Sequence, residues 1–116
     1  MGLTYIDAHL QGPSAKSKRV RFLVDSGTGY CVLPSEAWKA LGLEPLRVET
    51  FNLADGTPVR RKISECRIRL GRREGHTPVI LGEPGDSALM GVITLEVLGL
   101  VLDPFRRKIL KMKHRL

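Results

Sequence analysis

The sequence predicts a mostly β chain, folded as one small closed, barrel-like domain over residues 1–116 with one or two short helices. Three observations carry this. A length of 116 residues suffices for a single core and no more. Twelve Gly and seven Pro imply many turns. Several segments alternate apolar and polar side chains with a period of two.

Taken in order, Thr4 to Leu10 alternates well enough for a strand, and Gly12-Pro13-Ser14 ends it. Val20, Phe22 and Val24 face one way along the next strand, which runs directly into Asp25-Ser26-Gly27-Thr28-Gly29. Tyr30 to Leu33 forms a further short strand. Pro34-Ser35-Glu36 opens a short helix, with Ser35 as its cap and Gly42 as its stop. Val48 to Leu53 and Thr57 to Leu70 form two strands, and Asp55-Gly56 between them is the signature of a type I′ hairpin. Thr77 to Leu81 is another strand, closed by Glu83-Pro84-Gly85-Asp86. Met90 to Leu98 carries apolar residues at helical spacing and stops at Gly99. Val101 to Asp103 and Lys108 to Met112 complete about seven strands.

Composition narrows the function. Hydrophobic residues at 42% and charged residues at 27% describe an ordinary globular balance. The net charge of +7 suits either nucleic acid or a soluble basic surface. Six aromatic residues (Tyr5, Phe22, Tyr30, Trp38, Phe51, Phe105) are few for a base-stacking platform, so no nucleic-acid partner is expected. Cys31 and Cys66 stand apart from each other and from any Cys/His cluster. Two buried thiols in a reducing compartment, with no metal and no cofactor, are expected. The first 15 residues lack an apolar core, and Ile6 breaks the myristoylation pattern after Met1-Gly2. The longest apolar stretch, Ala88 to Leu102, is interrupted by Glu96 and too short for a bilayer, so a cytoplasmic protein with no membrane partner is expected.

His9, His76 and His114 are scattered, and no G-x-S-x-G elbow, P-loop or G-x-G-x-x-G is present. The basic residues near the C-terminus, among them Lys111, Lys113, His114 and Arg115, suit a solvated face and tail. The informative segment is Phe22-Leu23-Val24-Asp25-Ser26-Gly27-Thr28, a carboxylate directly after a hydrophobic strand with two hydroxyls beside it. Gly27 leaves room for another backbone, or a second copy of the loop, to approach. Downstream come the Ala54-Asp55-Gly56 tip, then Ile80-Leu81-Gly82, then Leu89-Met90-Gly91, an apolar pair and a Gly opening a helix.

In this order the motifs resemble the retropepsin-like aspartic proteases over about residues 4 to 112: D-[ST]-G-[AST], a flap hairpin, then apolar-apolar-Gly. Val101-Leu102-Asp103-Pro104 adds a strand ending seen in cellular and prokaryotic members. The resemblance implies an acid-protease fold with one lobe per chain and an aspartic-type endopeptidase acting on polypeptides. Only one D-S-G occurs, while the chemistry needs two facing carboxylates sharing a proton. The resemblance therefore implies a homodimer with catalytic Asp25 from each subunit at the two-fold axis. Ser26 would hydrogen-bond across that axis and Thr28 would bond the outer carboxylate oxygens. Residues Phe51 to Val59, with Ala54, Asp55 and Gly56 at the tip, would form the flap over the substrate. Met90, Val92 and Ile93 would be core beneath the loop. Apolar side chains in the flap and the Ile80-Leu81-Gly82 loop would favour apolar residues flanking the scissile bond.

Two departures stand out. Retroviral members place an Arg after apolar-apolar-Gly and an Asp shortly after D-[ST]-G; here those places hold Val92 and the Gly29-Tyr30-Cys31-Val32 stretch. Losing both avoids an unpaired buried charge and leaves an implied dimer resting on apolar contacts. The C-terminus is basic, where viral relatives interleave apolar strands. A non-catalytic dimeric peptide-binding module of the same fold is the alternative reading, and a basic β-barrel binding nucleic acid the third.

Overall fold

The computed structural model describes residues 3–113. Met1, Gly2, His114, Arg115 and Leu116 lie outside them, so the myristoylation pattern and the end of the basic tail are not addressed by the structure. Among the described residues nine strands and two helices follow one another: β1 (Tyr5–Gln11), β2 (Ser17–Val24), β3 (Cys31–Leu33), α1 (Ser35–Ala40), β4 (Arg47–Asn52), β5 (Pro58–Leu70), β6 (Arg73–Leu81), β7 (Leu89–Met90), α2 (Val92–Val97), β8 (Leu100–Asp103) and β9 (Lys108–Lys111).

Seven strands form one sheet in the order β1-β2-β7-β3-β6-β5-β4, and β1 also pairs with β5. That extra pairing, His9 to Gln11 against Arg67 to Arg69, makes the sheet ring-like, with β4 standing outside the ring on β5. Alternation explains the interior. Ala8, Leu10, Val20, Phe22 and Val24 are buried, while Asp7, His9, Arg19 and Arg21 face outward. Leu33, Ile68, Met90 and Leu95 complete the centre of the core. Fully burying each such side chain contributes about 1.5–3 kcal/mol.

Several local expectations need correction. Ser35 is not a cap but the first helical residue. Pro34 holds the N-cap position in extended conformation, and no side chain caps the helix. Gly42, at φ +70°, does end that turn. The strand expected from Thr77 begins at Arg73, because Gly71-Arg72 forms a two-residue hairpin loop that pairs Leu70 with Arg73. Positive φ falls on Gly71 alone, as a type II′ turn requires. The helix expected over Met90 to Leu98 is shorter. Leu89 and Met90 belong to a strand that pairs parallel with β2 and antiparallel with β3. The two-residue strand β7 is the element added to the strand segments named from the sequence, which brings the count to nine among the described residues.

Candidate active site

Asp25 lies one residue beyond β2, at the surface end of a strand whose inward side chains are all buried. Its backbone N–H donates to the Met90 carbonyl at 3.0 Å, continuing the β2–β7 pairing by one residue. The chain then turns: Thr28 N–H donates to the Asp25 carbonyl at 3.2 Å. The carboxylate is held on both oxygens. Gly27 N–H donates to Oδ1 and Thr28 Oγ1 donates to Oδ2, each at 2.9 Å. The two bonds, one to each oxygen, fix the plane of the carboxylate. Ser26 and Gly27 are exposed, whereas Asp25 and Thr28 are half-buried. The loop therefore presents a backed carboxylate on open surface.

The second motif supports this loop from behind. Val92 N–H donates to the Thr28 carbonyl at 2.9 Å and Ile93 N–H to the Gly29 carbonyl at 3.0 Å. Gly91 sits where a Cβ would overlap the Gly29 carbonyl and lie 2.7 Å from the Tyr30 carbonyl oxygen. Only a residue without a side chain lets the two segments approach this closely. Met90 is fully buried, and Val92 and Ile93 are half-buried. A polar brace locks α2 in place. Thr94 Oγ1 lies 2.9 Å from Cys31 Sγ and 2.6 Å from Thr77 Oγ1, so β3, β6 and α2 share one buried hydrogen-bonded cluster.

Asp25, Ser26, Gly27 and Thr28 are thus brought together with Leu89, Met90 and Gly91. Ala54, Asp55 and Gly56 are not; they form the exposed tip of the β4–β5 hairpin. The tip is not the expected type I′ turn. Leu53 N–H donates to the Thr57 carbonyl and Gly56 N–H to the Leu53 carbonyl, both at 2.8 Å, and positive φ falls on Gly56 alone. This is a three-residue loop with Gly in the left-handed position. Asp55 Oδ1 accepts the Thr57 N–H at 2.9 Å, and hydrogen bonding from Thr57 holds its carboxyl below the usual range.

The hairpin meets the end of the Asp25 loop along β4, through residues that no local pattern marks. Phe51 on β4 packs edge-to-face with Tyr30, ring centroids 5.6 Å apart. Arg47 Nη2 reaches the Tyr30 hydroxyl at 3.4 Å, and Arg47 Nε donates to Glu49 Oε1 at 3.0 Å. Tyr30 could have been flagged as an aromatic beside the motif, but its partners depend on strand register.

A cavity of about 760 Å³, lined by Gln11 to Ala15, Gly42 to Glu44, Leu46, Ser64 to Arg67 and His76, shares no residue with the Asp25 loop or the hairpin tip. Among the described residues, no three or more His, Cys, Asp or Glu side chains are grouped to hold a metal ion. No helix in them is long and apolar enough to cross a membrane.

Comparison with solved structures gives the fold an independent footing. The protease of EIAV, solved with the inhibitor HBY-793, superposes with a TM-score of 0.66 at 16% identity, covering 88% of this chain and 93% of that one. A retropepsin-like aspartic protease from Rickettsia conorii gives 0.63 at 21% identity, covering 88% and 77%. The simian foamy virus protease gives 0.57 at 13% identity, covering 80% and 92%. No curated protein sequence matches the chain. The family model for aspartyl proteases matches residues 7–97, from β1 to the end of α2 and so across the Asp25 loop, the hairpin and Leu89-Met90-Gly91. The chain belongs to the aspartyl protease family and shares its fold with these retropepsin-like structures.

Proposed function

We propose that the protein is a homodimeric aspartic endopeptidase in which each subunit contributes Asp25. The observation that carries this reading is the Asp25 carboxylate, held on both oxygens by Gly27 and Thr28 and present once per chain. Two such groups brought face to face across a two-fold axis share one proton, because like charges that close do not both ionise. A water between them loses a proton to the ionised carboxylate as its oxygen bonds to the peptide carbonyl carbon. The protonated carboxyl gives its proton to the carbonyl oxygen. As the tetrahedral intermediate collapses, the C–N bond breaks, the amine leaves with a proton from one carboxyl, and a hydroxyl of the intermediate returns a proton to the other, which restores the singly protonated dyad.

Ser26, exposed at the loop apex, is placed to hydrogen-bond across the axis. The β4–β5 hairpin, with Ala54, Asp55 and Gly56 at its tip, acts as the flap that covers the substrate and excludes water. Val101 and Leu110, paired across β8–β9, are exposed, as are Leu3 and Tyr5. These supply the apolar surface on which a dimer lacking the Arg–Asp pair depends.

An unstructured polypeptide offered at mildly acid pH tests the reading. Cleavage is expected, Asp25→Asn should abolish it, and specific activity should fall on dilution below the dimer dissociation constant. Undiminished activity in Asp25→Asn, or in a strict monomer, would sink it.

A further inference from the structure

We propose that the cleft beneath the β4–β5 hairpin selects polypeptide segments with an acidic side chain beside the scissile bond. Arg47 and Arg61 are the residues that recognise it. The proposal rests on the proteolytic reading above, with the hairpin as the cover of the substrate cleft.

Strand register decides which side chains face the Asp25 loop. Arg47 stands opposite Ile63, Glu49 opposite Arg61 and Phe51 opposite Val59. Successive side chains along a strand alternate, so these six share one face of the hairpin. That face is the inner one: Ile63 is fully buried in the core, and Phe51 packs against Tyr30, five residues after Asp25. The outer face carries Val48, Thr50, Arg60 and Lys62. Exposure agrees, since Arg61 is half-buried between its exposed neighbours Arg60 and Lys62.

Two guanidinium groups therefore share the inner face with one acid. Glu49 is engaged by Arg47. Among the described residues Arg61 has no carboxylate partner; its Nη1 donates to the Arg60 carbonyl at 3.1 Å. The face keeps one uncompensated positive charge per subunit, and a two-fold dimer places two over its cleft. Arginine suits the role, because its planar fork binds a carboxylate through two donors and loses little hydration. Closing the hairpin over a bound chain would thin the water around Arg61 and strengthen the attraction to an acid. The apolar flanks expected from Phe51 and Val59 remain compatible, since an acid at one neighbouring position suffices; Ile80 and Leu81, expected in a substrate-lining loop, are instead the buried end of β6.

Digestion of denatured polypeptides, read by mass spectrometry, should give cleavage sites enriched in Asp or Glu within a few residues of the cut. Matched synthetic peptides differing only by Glu→Gln at that position should then differ in kcat/KM by roughly fivefold or more, the scale of a partly shielded ion pair. Arg61→Glu should erase or invert the ratio, whereas Arg60→Glu with Lys62→Glu on the outer face should keep it. Equal rates for the Glu and Gln peptides on the wild-type protein would overturn the proposal. So would a preference abolished by the outer-face variant, which would mark general attraction to a basic surface. Absence of any cleavage by the wild type would count against the proteolytic reading alone. Fluorescence anisotropy with the same peptides would then decide the selectivity: tighter binding of the Glu peptide supports it, and equal affinity overturns it.

Discussion

Gly91 packs its α-carbon against the Gly29 carbonyl, leaving no room for a side chain between the Asp25 loop and the start of α2. The contact is backbone to backbone, so no flexible group can move aside. Gly91→Ala must therefore push the two segments apart, straining the Val92–Thr28 and Ile93–Gly29 hydrogen bonds that hold the loop. The expected cost is about 1–3 kcal/mol, as for other overpacked sites. Thermal unfolding should show a Tm lower by roughly 5–15 °C, and peptide cleavage should fall further than the lost stability explains.

Thr28 makes a separable contribution. Its hydroxyl donates to Asp25 Oδ2 at 2.9 Å, and its backbone links both to Asp25 and to Val92. Thr28→Val keeps shape and backbone but removes the donor. Stability should fall by about 1 kcal/mol, while kcat/KM should drop roughly tenfold to a hundredfold because the carboxylate is no longer oriented. Thr28→Ser, which retains the hydroxyl, should recover most of the activity. Equal rates for the Val and Ser variants would refute an orienting role.

What was legible in the sequence follows from how local each constraint is. Asp25-Ser26-Gly27-Thr28 encodes its own turn, since both bonds to the carboxylate come from residues two and three positions later. Gly91 is readable for the same reason: the need for a bare α-carbon leaves a mark in the sequence. The Tyr30–Phe51 contact and Arg47 were not readable, because they depend on how β4 registers on β5 and how that pair leans over the loop. The start of β6 at Arg73 was hidden by its polarity. Glu74 and His76 are exposed on the outside of the ring, where Arg67 engages Glu74 and apolar alternation is lost. Met90 looked helical because its spacing to Ile93 and Val97 is helical; in place it is the buried end of a two-residue strand. Short apolar runs do not distinguish these outcomes.

Gly56 tests the hairpin in the opposite way from Gly91. It adopts φ +87°, and a Cβ there would meet nothing within 4 Å. Only backbone conformation is at stake, costing about 1–2 kcal/mol for an alanine. With no packing to lose, Gly56→Ala should lower the Tm by no more than the roughly 5–10 °C that this strain implies, while altering kcat and KM together. Gly56→Asn, which tolerates this conformation, should behave close to wild type. Hydrogen exchange at Leu53 and Gly56, whose amides donate to backbone carbonyls within the loop, would register the loosened tip directly.

The buried thiols give the protein a defined weakness at alkaline pH. Burial pushes the Cys66 thiol up to about 12 from an ordinary 9.0, with Cys31 and Glu65 adding negative charge nearby. Burial also raises Cys31, against the partial relief of its hydrogen bonds to Thr94 and Gly91. A thiol held neutral in the folded chain keeps its proton where the unfolded chain releases it. Below pH 9 both states are protonated and the group is neutral in its effect. From about pH 9 to 12 the unfolded state binds fewer protons, so stability falls as pH rises. Three pH units for Cys66 correspond to about 4 kcal/mol at the upper end. Urea unfolding of the wild type should therefore show a midpoint that declines steadily above pH 9. Cys66→Ala should start lower, because it leaves a small cavity, and decline much less over the same range. Native-state labelling by a thiol reagent should be slow below that range and accelerate with unfolding. Parallel declines in the two proteins would show that Cys66 is not the source of the alkaline loss.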